Sequence, residues 1–110
     1  MLTQSLAHLE QLTNLEELWV GKNKIASLEG IESLRNLRIL SIQSNRLTSL
    51  DHLETLSKLE ELYVSHNGIA KLKGLEHNHE LNTLDFGANK VDSLEGVQHL
   101  RKMSQFWVRV

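Results

Sequence analysis

The sequence has no cysteine and no proline in its 110 residues, and its aromatic side chains are two tryptophans, two phenylalanines and one tyrosine. A chain without cysteine forms no disulfide and no thiolate metal site, so we expect a reducing, intracellular compartment. A chain without proline builds its turns from other residues, chiefly asparagine and glycine. No apolar run reaches the ~18 residues of a membrane helix, and the first residues lack the layout of a signal peptide, so no membrane partner is expected.

The sequence also lacks a large excess of either positive or negative charge. Twelve basic and 14 acidic residues give a formal net charge of −2, which excludes the strongly basic footprint of a nucleic-acid-binding protein. A composition of 40% hydrophobic and 24% charged residues is typical of a globular or repeat protein, and the length has room for one domain, residues 1–110.

A 22-residue internal repeat organises the whole chain. The pattern Leu-x-x-Leu-x-Val-x-x-Asn-x-Ile begins at Leu15 and returns, with conservative changes, from Leu37, Leu59 and Leu81. It divides the chain into a partial repeat 1–14, full repeats 15–36, 37–58, 59–80 and 81–102, and a truncated repeat 103–110. Because both ends fall inside a repeat, we expect the chain to be an internal fragment of a longer array.

Two apolar spacings within each repeat predict its fold. The alternation of Leu18 and Val20 predicts a short half-buried strand, and the spacing of three in Leu28, Ile31 and Leu34 predicts a tight 3₁₀ or helical return. Each repeat is then one coil of an α/β leucine-rich repeat solenoid, with a curved parallel sheet on the concave face and short returns on the convex face. In the third repeat Asn78 takes an apolar position, which predicts a locally loosened turn.

Asparagine and glycine each recur at a fixed place in the repeat. Isolated asparagines are often simple turn formers, but the 22-residue step favours a structural ladder of amides that bond to backbone groups where the chain leaves each strand. The ladder comprises Asn23, Asn45, Asn67 and Asn89. Gly30, Gly74 and Gly96 share another phase, as expected for tight turns, and no glycine-rich phosphate loop is present. We therefore expect no nucleotide cofactor.

The variable strand positions predict a binding surface on the concave face. Three columns of the predicted sheet are Glu17, Ile39, Glu61, Thr83, Gln105; Trp19, Ser41, Tyr63, Asp85, Trp107; and Gly21, Gln43, Ser65, Gly87, Arg109. The central column holds three of the five aromatic residues, the types that contribute most energy at protein interfaces, although chance or mutual packing is the alternative. Four strand steps span ~19 Å, the size of a protein epitope rather than of a small-molecule site.

Charged and titratable residues favour binding over catalysis. Glu17, Glu61 and Asp85 lie among the aromatic residues and favour a partner that carries arginine or lysine, or they are simply solvated. Of the six histidines only His77 and His79 are close in sequence, and no third ligand follows at a recognised spacing, so we predict no metal site. Neighbouring acids alternate faces on a strand and form no catalytic pair, so we predict no enzyme activity.

Four off-consensus strings resemble the regulatory subunit 7 family of protein phosphatase 1, whose repeats are of the same 22-residue class. They are Leu-Trp-Val-Gly-Lys-Asn-Lys-Ile at 18–25, Leu-Ser-Ile-Gln-Ser-Asn-Arg-Leu at 40–47, Leu-Tyr-Val-Ser-His-Asn-Gly-Ile at 62–69 and Gln-Phe-Trp at 105–107. The resemblance covers nearly the whole chain. It implies a nuclear and cytoplasmic regulator that binds the phosphatase catalytic subunit through concave aromatic and acidic residues.

By this resemblance, Trp19, Asp85 and Trp107 stand at binding positions of the family, where it has a phenylalanine, an aspartate and a tryptophan. Gln105 replaces a glutamate that the family uses, and the sequence departs from the family pattern after Val108. Tyr63, Glu61 and Glu17 are further expected contacts. The alternative is a repeat module for another protein partner, such as a spliceosomal, cytoskeletal or bacterial surface ligand.

Overall fold

The computed structural model describes residues 6–92 and the backbone of residues 105–107. It contains five strands of three residues, each of which begins 22 residues after the one before. They are β1 (Glu17–Trp19), β2 (Ile39–Ser41), β3 (Glu61–Tyr63), β4 (Thr83–Asp85) and β5 (Gln105–Trp107). The strands therefore follow the repeat period of the sequence.

The five strands form one parallel sheet in the order β1-β2-β3-β4-β5, so that each coil adds one strand beside the last. The register has no slip, because Leu18, Leu40, Leu62 and Leu84 lie opposite one another across successive strands. Identical phases of the repeat therefore share a column on the sheet. The predicted leucine-rich repeat solenoid is confirmed.

The core runs along the axis of the solenoid between the sheet and the returns. Alternation on each strand turns the middle residue inward, and the three side chains of Leu40, Leu62 and Leu84 are completely buried. The returning segments bury the opposite side of the core with Leu28, Ile31, Leu34, Leu50, Leu53, Leu56, Leu72 and Leu75. Each coil can bury its apolar side chains only against its neighbours, which makes the array cooperative.

The returns follow the predicted spacing of three. Ile31–Ser33 is a 3₁₀ helix, as is Ala7–Leu9. In the first return, the N–H of Leu34 donates to the carbonyl of Ile31 at 3.0 Å, and the N–H of Ile31 donates to Leu28 at 3.0 Å. Residues 51–58 and 73–80 instead form successive turns. Apolar residues three apart thus face the core at the ends of i to i+3 hydrogen bonds.

Asn78 does not loosen the third return, so that expectation was wrong. Its side chain is completely buried, and its amide nitrogen donates to the carbonyls of Leu53 and Leu56 at 3.0 Å each. Its N–H still donates to Leu75 and its carbonyl still accepts from Leu81, both at 3.2 Å. The amide nitrogen thus replaces apolar contact with hydrogen bonds to the previous coil, while the side-chain oxygen Oδ1 is buried without a hydrogen-bond partner.

One phase of the returns has a left-handed backbone. Gly30 and Gly74 have φ angles of 101° and 112°, and His52 holds the same phase in the coil between them with φ 85°. Its ring nitrogen Nδ1 lies 3.3 Å from Oε2 of Glu32 in the preceding coil. The 22-residue step places His52 where the neighbouring coils have glycine, the residue that adopts positive φ at the lowest cost, and the structure shows that the histidine keeps that backbone conformation.

Candidate functional site

The concave face is held rigid from one side by the asparagine column. The side-chain oxygen of Asn45 accepts the N–H of Ile25 in the preceding coil at 3.0 Å. Its amide nitrogen lies 3.1 Å from the carbonyl of Val20 in that coil and 3.2 and 3.1 Å from those of Ile42 and Gln43 in its own. One half-buried amide thus ties two consecutive coils together where the chain leaves the strand.

The next two coils repeat this arrangement. The oxygens of Asn67 and Asn89 accept the N–H groups of Leu47 at 2.9 Å and Ile69 at 3.0 Å. Their amide nitrogens reach back to the carbonyls of Ile42 at 3.0 Å and Val64 at 2.9 Å. Asn23 in the first coil donates to carbonyls of its own coil. The backbone groups of each bend are therefore satisfied by the ladder, and strand spacing is fixed.

Two aromatic side chains stack on the concave surface across an intervening strand. The rings of Trp19 on β1 and Tyr63 on β3 have centroids 6.4 Å apart and planes that differ by 21°. Their strands are two steps apart, or roughly 9.6 Å, so the rings lean toward each other. Between them in the column lies Ser41, whose side chain is 1% exposed. A small residue at this position leaves room for the rings to meet above it.

The polar tip of each ring bonds to a carboxylate two residues earlier on its own strand. The indole Nε1 of Trp19 donates to Oε1 of Glu17 at 3.1 Å, and the hydroxyl of Tyr63 donates to Oε1 of Glu61 at 2.6 Å. Residues two apart on a strand share a face, which places each carboxylate beside its ring. The same pairing on two strands restricts the rotamers of both rings, and Trp19 remains 61% exposed.

Tyr63 lies in an acidic environment. The hydrogen bond to Glu61, partial burial, and the negative charges of Glu61 and Asp85 together raise the pKa of Tyr63 to about 12. Asp85 is the neighbour of Tyr63 in the β3–β4 register, and its Oδ1 accepts the N–H of Gly87 at 3.1 Å. The hydroxyl therefore stays protonated and donates to Glu61 at physiological pH.

The acids of this face carry charge that the described part of the chain does not neutralise. Within residues 6–92, no lysine or arginine forms an ion pair with Glu17, Glu61 or Asp85. The acids one position earlier in the repeat are paired instead, because Arg38 forms ion pairs with Glu16 at 3.7 Å and with Glu60 at 3.1 Å. The carboxylates of Glu17 and Glu61 therefore lie beside the rings of Trp19 and Tyr63 without a cationic side chain of residues 6–92 against them.

The structure brings together only part of the predicted surface. Glu17, Trp19, Glu61, Tyr63 and Asp85 are contiguous on β1, β3 and β4. Gln105 and Trp107 continue the two columns on β5, opposite Thr83 and Asp85, with only their backbone described, and Arg109 lies outside the described residues. We name the surface formed by Glu17, Trp19, Glu61, Tyr63 and Asp85 the aromatic-acidic face.

Three positions of the predicted columns are buried rather than accessible to a partner, and the prediction is corrected there. Ser41 lies under the two rings, Thr83 is 8% exposed, and Gly87 is buried. Sequence alone treats every odd strand position as exposed, but the rings of Trp19 and Tyr63 on the two neighbouring strands cover the small side chain of Ser41. The alternation of large and small residues along the column is the signal that could have indicated this.

Residues 6–92 contain no group of three or more histidine, aspartate or glutamate side chains placed to hold a metal ion. His77 and His79 are both exposed. Among the residues that the structure describes, no helix is long and apolar enough to cross a membrane.

Comparison with known proteins identifies the repeat. The family model described as Leucine Rich repeats (2 copies) matches three overlapping stretches, residues 13–55, 35–77 and 57–99. No curated protein matches the sequence.

Solved structures with the same architecture include three bacterial proteins. Internalin F of Listeria monocytogenes superposes with a TM-score of 0.91 at 24% identity over 96% of this chain and 31% of its own, a likeness that shows the fold alone. Internalin C2 of the same organism gives 0.87 at 28% identity over 96% of this chain and 46% of its own. A leucine-rich repeat protein of Leptospira interrogans gives 0.84 at 27% identity over 94% of this chain and 27% of its own. The chain thus spans less than half the length of each of these structures.

Leucine-rich repeats generally mediate protein–protein interaction, and none of these matches indicates an enzyme family. The family matches together run from residue 13 to residue 99, and the sheet, the returns and the asparagine column have the geometry of that architecture. The chain belongs to the leucine-rich repeat family.

Proposed function

We propose that this chain is a non-catalytic binding module whose aromatic-acidic face binds the catalytic subunit of protein phosphatase 1. The observation that carries the proposal is the stacked pair of Trp19 and Tyr63, each ring bonded to a carboxylate, on a face that the core does not use. Neither ring belongs to the buried core, so retaining both on the concave face suits a role in binding.

The face has the composition of an interface centre. Tryptophan and tyrosine supply large rigid contact area, and hydrogen bonds to Glu17 and Glu61 lower the rotamer entropy that binding would otherwise cost. The carboxylates of Glu17, Glu61 and Asp85 add negative charge around the rings. Such a surface fits a folded protein that presents arginine or lysine beside an apolar patch.

The choice of phosphatase rests on sequence. The strings at 18–25, 40–47 and 62–69 resemble those of the regulatory subunit 7 family, and the positions at which that family binds correspond to Trp19, Asp85 and Trp107. In this proposal the chain holds or delivers the phosphatase in the nucleus and cytoplasm and performs no chemistry itself.

A second candidate is the same module with a different protein partner. It is favoured by the solved structures with high TM-scores, which include Listeria internalins. The aromatic-acidic face would then serve another basic protein surface, so the second candidate shares the face and differs in the occupant.

Binding of the purified phosphatase catalytic subunit to the purified chain separates the two. We expect saturable binding that weakens for Trp19→Ala, Asp85→Ala and Trp107→Ala and is unchanged for Glu54→Ala, an exposed acid on the convex side. A folded chain that does not bind the phosphatase would overturn this assignment of partner and leave the second candidate.

A further inference from the structure

Asn67 is the member of the described asparagine column that is followed by glycine. The corresponding residues after Asn23, Asn45 and Asn89 are Lys24, Arg46 and Lys90. An asparagine before glycine is chemically labile, because the backbone nitrogen that follows can reach the side-chain carbonyl carbon without obstruction from a Cβ atom. We propose that Asn67 and Gly68 form a self-modification site that folding keeps closed and that local opening of the third coil activates.

Both reacting groups are held by one residue of the preceding coil. The side-chain oxygen of Asn67 accepts the N–H of Leu47 at 2.9 Å, and the N–H of Gly68 donates to the carbonyl of Leu47 at 2.7 Å. The electrophilic amide and the nucleophilic nitrogen are therefore both fixed to the backbone of Leu47. We call these two hydrogen bonds the Leu47 clamp.

The amide nitrogen that would leave is also held. It lies 3.0 Å from the carbonyls of Ile42 and Val64 and 3.2 Å from that of Ser65. Rotation of the Asn67 side chain into a position that its own backbone can attack breaks these hydrogen bonds and the clamp together. The reaction therefore requires separation of the third coil from the second.

The chemistry needs only water. The nitrogen of Gly68 loses its proton to solvent base and attacks Cγ of Asn67; a C–N bond forms, the Cγ–Nδ2 bond breaks, and ammonia leaves with a proton from water. Water then adds to one of the two carbonyl carbons of the cyclic imide and opens it to aspartate or isoaspartate. The net change is amide plus water to carboxylic acid plus ammonia, with no oxidation or reduction.

The aspartate or isoaspartate product cannot restore the hydrogen bonds that Asn67 makes in the ladder. An aspartate at this position has no N–H to give to the three carbonyl oxygens of Ile42, Val64 and Ser65, and its own oxygens would face theirs. The isoaspartate form adds a carbon to the main chain and shifts the bend. One opening event that lasts long enough to react thus converts reversible opening of the coil into permanent damage to the ladder.

Two other asparagines of the column have the same hydrogen bonds but are followed by a residue other than glycine, and they serve as internal controls. Arg46 and Lys90 donate to Ile25 at 2.8 Å and Ile69 at 2.9 Å, just as Gly68 donates to Leu47. Asn45 and Asn89 thus have an equivalent clamp and a bulkier following residue in the same molecule. Gly68→Ala is the matched variant, because an added Cβ would lie 3.4 Å from the carbonyl oxygen of Leu47, an ordinary contact.

The test is peptide mapping of the full chain incubated at one pH and temperature with increasing guanidinium chloride. In the unfolded chain we expect loss of the amide at Asn67 to outpace that at Asn45 and Asn89, and in Gly68→Ala to slow to their rate. In the folded chain the Asn67 rate should fall at least about tenfold, since the reactive state is a minor open form. Equal folded and unfolded rates at Asn67, or an unfolded rate no greater than at Asn45 and Asn89, would overturn the proposal.

Discussion

Trp19 and Tyr63 stack at a centroid distance of 6.4 Å although a whole strand separates them. The contact depends on Ser41, which lies between them in the column and is buried beneath the rings. The pair is therefore a product of three coils rather than of one, and the repeat array is what positions it. Four predictions follow from the groups that hold this surface and its scaffold.

Alanine should destabilise the fold much more at Gly74 than at Gly68. Gly74 has φ 112°, and a Cβ there would lie 2.9 Å from the carbonyl oxygen of Leu50. Gly74→Ala should therefore lower the free energy of unfolding by about 2 kcal/mol through backbone strain and this close contact. Gly68→Ala, at a position with room for a methyl group, should lower the free energy of unfolding by less than about 0.5 kcal/mol. Denaturant unfolding of both variants measures the contrast, and equal losses would contradict it.

The asparagine column should stabilise the fold far more than an asparagine whose hydrogen bonds are exposed to solvent. Asn45→Ala removes hydrogen bonds to two coils and leaves the N–H of Ile25 without its partner, at a cost of about 3 kcal/mol. Asn36→Ala removes two solvent-exposed hydrogen bonds, to the carbonyl of Thr13 and from Nζ of Lys58, and should cost less than about 1 kcal/mol. Chemical denaturation of the two variants against the unchanged chain provides the measurement. Similar losses would mean that the column is not the main tie between coils.

The single tyrosine allows a direct titration of the aromatic-acidic face. The phenolate absorbance should rise with a midpoint near 12 rather than at the ordinary 10.0, and Glu61→Gln should lower the pKa of Tyr63 because the strongest hydrogen bond and the nearest charge change. Since the folded pKa is raised, this group stabilises the fold fully below pH 10.0, and the contribution is lost as the pH rises toward 12. A titration midpoint at the ordinary tyrosine pKa in the folded chain would contradict the acidic environment described for Tyr63.

Much of the fold could be predicted because it depends on local spacing. The alternation at Leu18 and Val20 and the spacing of three at Leu28 and Ile31 are short-range patterns, and repetition multiplies them, so they fix strand, return and parallel order together. The asparagine hydrogen bonds follow from the same phase. Sequence could place Trp19 and Tyr63 in one column for the same reason.

What sequence could not supply depends on contacts between coils. The burial of Ser41 requires knowing that two rings converge above it, and the buried hydrogen bonds of Asn78 require the carbonyls of Leu53 and Leu56 to be within reach. In both cases a neighbouring coil decides the environment, and a single-residue pattern carries no record of it. The left-handed backbone of His52 is different, because its position 22 residues from Gly30 and Gly74 is visible in the sequence.

The central claim is that the aromatic-acidic face binds a protein, and the most direct measurement is calorimetric titration of the phosphatase catalytic subunit with Trp19→Ala and Glu54→Ala. Trp19 is 61% exposed, so its truncation should leave the fold intact and be judged by binding alone. We predict that Trp19→Ala weakens binding by about 2 kcal/mol, roughly 30-fold in Kd, while Glu54→Ala binds as the unchanged chain does. Equal affinities for Trp19→Ala and the unchanged chain, with both folded, would contradict the account.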